Sequence, residues 1–131
     1  MNGGLTPAAL IAKATRAAAS ARALLDLEDV DGACNRAYYA MFDAARAALL
    51  VSSGPVPPDF GRTHSGLIAA FGLHLVKAGP IPRDIGRLLK RAEEIRLVAD
   101  YKGDSVALDD ACEIVEQAAV FVAAMREHFK L

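Results

Sequence analysis

Between Asp31 and Ser52 the chain carries Ala33, Ala37, Tyr38, Ala40, Met41, Phe42, Ala44, Ala45, Ala48 and Leu49. At about 100° per residue these side chains cover most of a helix circumference. A helix so apolar belongs at the centre of a bundle or at an interface. Only a narrow strip is polar: Asn35, Arg36, Tyr39, Asp43 and Arg46. This strip either faces water or lines a cleft. The segment therefore demands other helices around it.

The rest of the sequence supplies them. Residues 1–5 read as a loose start, and Thr6-Pro7 is a cap followed by proline in the first helical turn. Leu10, Ile11, Ala14, Ala18, Ala21 and Leu25 then recur at helical spacing up to the break at Leu27-Glu28-Asp29, with Asp29 or Asp31 as the next cap. Gly54, Pro55, Pro57 and Pro58 end the second helix in a stiff loop. A third helix is expected over Thr63–Lys77, and Gly79-Pro80-Ile81-Pro82 separates it from a fourth over Arg83–Lys102. Gly103 stops that helix. Asp104 or Ser105 caps a fifth, whose apolar stripe is Ile114, Ala118, Phe121, Val122, Met125 and Phe129. Alanine is abundant, strand-forming residues are sparse, and no strand-like alternation or repeat is present. The expectation is all-α: an up-and-down antiparallel bundle of five helices forming one domain over residues 1–131.

A formal net charge of −1 gives no whole-molecule field toward nucleic acid or lipid, so any polyanion site must be a local basic patch. Cys34 and Cys112 lack metal-ligand spacing and read as reduced thiols. The start MNGGLTPAAL is not patterned as a signal peptide, and no apolar run is long enough to span a bilayer, so a cytoplasmic location is expected. There is no HExxH or Cys/His cluster, no glycine-rich phosphate loop after a strand and no nucleophile elbow. Neither a metal nor a cofactor is expected.

One residue breaks the pattern. On the fourth helix Ile85, Leu88, Leu89, Ala92, Ile95 and Ala99 form the apolar stripe, while Arg83, Arg87, Lys90 and Arg91 gather opposite as solvated charges. Arg96 falls on the apolar side. A guanidinium keeps its charge and so needs a carboxylate, carbonyls or a ligand phosphate there. Asp100, one turn on, is within reach. Two readings stand: a structural Arg96–Asp100 pair at the bundle rim, or a phosphate-binding arginine near a subunit seam. Leu97 and Val98 point outward and hint at contact with another subunit.

Three segments resemble the HEPN-domain superfamily. Cys34-Asn35-Arg36-Ala37-Tyr38-Tyr39-Ala40-Met41-Phe42-Asp43-Ala44-Ala45-Arg46-Ala47 is similar to its RAYYAMFHAARALL stretch, specifically in the small uncharacterised branch. Arg62-Thr63-His64-Ser65-Gly66 is similar to its KTHSG element, and Arg96-Leu97-Val98-Ala99-Asp100-Tyr101 to its RxxADY element. The resemblance implies a dimerising helical bundle. Many members are metal-independent endoribonucleases, several of them toxins encoded beside a minimal nucleotidyltransferase antitoxin. It also implies a catalytic arginine followed a turn or so later by histidine, paired across the dimer.

Carried onto this chain, the catalytic group is Arg96, Asp100 and Tyr101, with tyrosine standing where the histidine falls. Tyrosine is a poor base near neutrality, with a pKa near 10. Arg96 would stabilise charge as the RNA's own 2′-hydroxyl attacks the phosphodiester. Tyr101 would orient the phosphate or accept a nucleotidyl group from the partner. Asn35, Arg36, Tyr39 and His64 are the candidate RNA- or nucleotide-binding residues, with a structural, packing role the first reading of His64 from its position alone. His74 and His128 read as ordinary surface residues. The functional expectation is a homodimeric ribonuclease toxin; the alternative is a non-catalytic HEPN module that binds nucleotide or RNA, or docks a nucleotidyltransferase.

Overall fold

The computed structural model describes residues 6–52, 63–101 and 106–131, with only the backbone of Tyr101. The expected loose start, the proline-marked loop, Arg62 and the stop-and-cap residues Lys102, Gly103, Asp104 and Ser105 lie outside the described residues. Five α-helices follow one another: α1 (Pro7–Asp26), α2 (Val30–Val51), α3 (His64–Phe71), α4 (Arg83–Tyr101) and α5 (Leu108–Phe129). Among the described residues no strand is present, as an all-α HEPN-like bundle requires.

Local chemistry sets the helix ends. Thr6 Oγ1 accepts the Ala9 amide at 3.1 Å, with Pro7 where a missing N–H costs nothing. At the α1–α2 corner Glu28 takes a left-handed φ of 67°, and Asp29 Oδ1 caps α2 by accepting the Gly32 amide at 3.0 Å. A Cβ at position 32 would lie 2.3 Å from the Asp29 carboxylate, so a larger residue would displace that cap. Asp31, the other candidate cap, instead accepts the Val106 amide at 3.1 Å and ties α2 to the approach of α5. The N-cap of α5 is Ala107, without a side-chain cap bond, so that helix begins later than its sequence signals indicate.

α2 is the axis. It packs against α1, α3, α4 and α5, and buries Ala33, Ala37, Tyr38, Ala40, Met41, Ala44 and Ala48 completely. The many alanines let backbones approach closely, while Tyr38, Met41, Phe71, Phe121 and Met125 fill the remaining volume. Complete burial of one such large side chain contributes about 1.5–3 kcal/mol over leaving it exposed. The expected α5 stripe is buried, with Phe129 half-buried at its end.

One feature departs from simple helix. Beyond Phe71 the third helix continues through Gly72–Lys77 as a π-helical segment, with the Ala78 amide bonded back to the Leu73 carbonyl at 3.2 Å. Such segments are rare and cluster at functional sites.

Candidate functional site

Arg96 lies on the apolar side of α4, as its sequence position indicates, and is 7 % exposed. Its guanidinium is not turned to solvent. Nη1 is 3.2 Å from Asp100 Oδ2, and Cζ stands 4.7 Å from the centroid of the Tyr38 ring. The Arg96 charge also bears on the Tyr38 hydroxyl, opposing the rise of its pKa. The structural pair read from sequence is therefore present, with Asp100 on the exposed side.

The same hydroxyl reaches a third helix. Tyr38 Oη is 3.0 Å from His64 Nδ1. His64 is held in the first turn of α3 because Thr63 Oγ1 accepts the Gly66 amide at 2.9 Å. A Tyr38 hydroxyl that donates to Nδ1 leaves the ring proton of neutral His64 on Nε2, whereas the other tautomer makes the hydroxyl the acceptor. Burial pushes the Tyr38 phenol well above its ordinary range, reinforced by Glu93 and opposed by Arg96. Burial, then the Arg96 charge, lowers the His64 pKa below 6.5 against the pull of Glu93. Near neutral pH both rings are uncharged beside a permanent cation.

The polar strip of α2 lines a separate recess. With Lys13 of α1, residues Arg36, Tyr39, Phe42, Asp43 and Arg46 enclose an open cleft of about 320 Å³. Asp43 is buried rather than solvated, and Arg46 Nη1 is 4.0 Å from its Oδ1, at the limit of an ion pair. Burial raises its pKa, against the pull of Lys13, Arg46 and Arg36. Arg36 Cζ is 5.5 Å from the Tyr39 ring and Arg46 Cζ 5.9 Å from the Phe42 ring. Arg36 Nε is buried with no hydrogen-bond partner, a donor that an anionic oxygen or a water would satisfy. Asn35 is half-buried and does not line this cleft.

An aromatic cluster joins the two places. The His64 ring is 4.6 Å from Phe42 and 5.7 Å from Tyr39 by centroid, and 5.5 Å from Tyr38. The strip and Arg96 thus belong to one continuous region, with His64 between them. Sequence reasoning missed two members. Tyr38 reads as one more apolar residue of α2, and Lys13 as one exposed lysine of α1. Neither carries a local signal of its neighbours. The Tyr101 side chain lies outside the described residues. His74 is half-exposed and His128 exposed. Cys34 and Cys112 are free, and burial pushes the Cys34 thiol up to about 12. Among the described residues no cluster of metal-ligating side chains occurs, and no helix is long and apolar enough to cross a membrane.

Three segments scattered along the chain thus meet at one place: Tyr38-Tyr39 and Phe42 on α2, His64 opening α3, and Arg96 with Asp100 closing α4. The chain belongs to the HEPN domain family, whose model matches residues 8–128. It is 37% identical over 120 residues to the UPF0332 protein glr0978 of Gloeobacter violaceus, covering 90% of this chain and 91% of that one. It is 33% identical over 122 residues to a protein of Methanocaldococcus jannaschii named "Putative toxin MJ0605", covering 93% of this chain and 87% of that one.

Proposed function

We propose that this protein is a HEPN toxin acting on RNA as a metal-independent endoribonuclease. One observation carries the reading: Tyr38 links His64, 3.0 Å from its hydroxyl, to the Arg96 charge over its ring, beside a cleft of cations and aromatic rings. The name of the archaeal relative supports a toxin role. In the cleft, Lys13, Arg36 and Arg46 supply charge for phosphates, while Tyr39 and Phe42 offer faces for bases. Cleavage needs no cofactor. The 2′-hydroxyl gives its proton to solvent and its oxygen attacks phosphorus. The 5′-oxygen leaves with one proton, and a 2′,3′-cyclic phosphate remains.

Within this reading Arg96 acts from behind. Burial, aided by its paired guanidinium, keeps His64 neutral, while the Nε2–H of His64 donates to a phosphate oxygen as negative charge grows there. His64 thus takes up the task for which the family motif offers only Tyr101. Leu97 and Val98, 39 % and 36 % exposed on the outer side of α4, form the seam of a homodimer. A minimal nucleotidyltransferase is the antitoxin partner, with Tyr101 the acceptor of nucleotidyl groups.

The test is a single-stranded RNA oligonucleotide incubated with purified protein in excess EDTA. Cyclic-phosphate ends are expected with the wild type and not with His64→Ala. Intact RNA with the folded wild-type protein overturns the enzymatic reading. A second reading, a non-catalytic module that binds RNA or nucleotide, is favoured by the burial of Arg96 and its engagement with Asp100. It is distinguished by saturable RNA binding without turnover.

A further inference from the structure

A second recess lies on another face. A groove of about 530 Å³ runs between α4 and the π-helical continuation of α3. Its floor is aliphatic, built from Ile68, Leu73, Val76 and Leu89, and Leu73 is 52 % exposed. Its rim is cationic: Lys77 from one side, Arg83, Arg87 and Lys90 from the other. None of these four forms an ion pair among the described residues. Arg91, on the same helix, is by contrast neutralised by Asp110 and Glu113 of α5 at 3.6 and 3.2 Å.

The groove is a product of two glycines and the π-helical segment. A Cβ on Gly86 would stand 2.7 Å from Val76 Cγ2, so this glycine permits the close approach of α4 at the groove bottom. A Cβ on Gly72 would meet nothing within 4 Å, because Gly72 borders the open groove.

We infer that this groove docks an acidic amphipathic helix of a partner protein. An apolar floor takes the i, i+3, i+4 and i+7 side chains of such a helix, and flanking Asp or Glu residues meet the four rim cations. Charge and floor chemistry together select this occupant. Single-stranded RNA would also answer the rim, but its bases need faces to stack on or polar edges to bond. The one aromatic at the groove, Phe71, is 1 % exposed. A second copy docked symmetrically would set Lys77, Arg83, Arg87 and Lys90 against themselves. At one end the groove reaches Ser65 and Glu93, the neighbours of His64 and Arg96 in sequence and along α4, so a docked helix lies beside the candidate site.

The experiment is a displayed library of amphipathic helices, selected on the full chain and counter-selected on Gly72→Leu. Helical φ and open space around a Cβ at Gly72 admit a larger residue at the border of the groove. Circular dichroism and the thermal midpoint confirm that the variant is folded. Selected helices are expected to carry apolar residues at helical spacing flanked by Asp and Glu. Their affinity should fall about tenfold or more in the surface variant Lys77→Glu/Arg87→Glu. Failure to select any helix that survives the counter-selection, selection without acidic bias, or binders indifferent to Lys77→Glu/Arg87→Glu overturns the proposal. So does loss of RNA binding in Gly72→Leu, or a change in its sedimenting mass, since these assign the groove to RNA or to a second copy. RNA cleavage is not read in any arm, so this result stands apart from the fate of the ribonuclease reading.

Discussion

The two recesses differ in what stands behind their positive charge. In the α1–α2 cleft Lys13, Arg36 and Arg46 surround a buried carboxylate, Asp43, and lie against Tyr39 and Phe42. In the α3–α4 groove Lys77, Arg83, Arg87 and Lys90 surround aliphatic side chains and make no ion pair among the described residues. Cations over aromatic faces suit a chain of phosphates and bases. Cations around an aliphatic trough suit a helix with one apolar and two acidic faces. The difference teaches that a basic residue carries little meaning by type; its meaning comes from the surface it borders.

The largest expected effect tests whether His64, packed beside the first recess, marks a reaction site. His64→Ala should lower RNA cleavage by about a hundredfold or more, the usual range for removing a proton-handling or phosphate-contacting group. RNA affinity, read by anisotropy, should change little. Equal loss in a groove variant such as Lys77→Glu/Arg87→Glu would erase the distinction between the recesses.

Next in size is binding. Arg36→Glu/Arg46→Glu should weaken single-stranded RNA binding by roughly ten- to a hundredfold at low salt. It should also flatten the salt dependence by about one unit of slope per lost phosphate contact. Reversal of the groove cations should leave both unchanged.

A smaller effect concerns stability. The folded-state pKa of Asp43 is raised, so its protonated form is favoured by folding. The stability it contributes is complete below its unfolded value of about 4 and is lost as pH rises through the folded one. Asp43→Asn should therefore raise the thermal midpoint at pH 7, and the two curves should converge in acid. A lower midpoint at pH 7 would mean that charge balance with Lys13, Arg36 and Arg46 outweighs desolvation.

The smallest effect is spectroscopic. His64 should titrate below 6.5 by NMR, and its midpoint should move up in Arg96→Gln, where a repelling charge is gone. Because folding disfavours the imidazolium, His64 contributes stability above pH 6.5 that falls away as pH drops through the ordinary range. An unmoved midpoint would detach Arg96 from the site.

Much of the fold is legible along the chain because helix formation is a local matter. Thr6-Pro7, the α4 stripe and the burial of α2 all follow from spacing and capping chemistry. The choice between Asp29 and Asp31 as cap is not, since both stand at suitable positions and only contact with Val106 diverts Asp31. The site was half legible. Arg96 stands out as a charge at an apolar position, and Asp100 as its neighbour one turn on. Arg36 and Tyr39 carry over to the cleft, whereas Asn35 does not line it. Asp43 reads as a member of a strip that faces water or lines a cleft; it is buried at such a cleft, with Lys13 of α1 alongside.

From its residues alone this chain determined five helices, an apolar axis and an arginine that has to find a partner. Periodicity and fixed charge are properties of a segment and need no neighbour to be read. Folding decided that Tyr38 stands between His64 and Arg96, that Asp43 lies under three cations, and that the charges of α4 divide into a neutralised arginine and an open rim. Those relations join residues far apart in the chain, and only packing sets which of them come within reach.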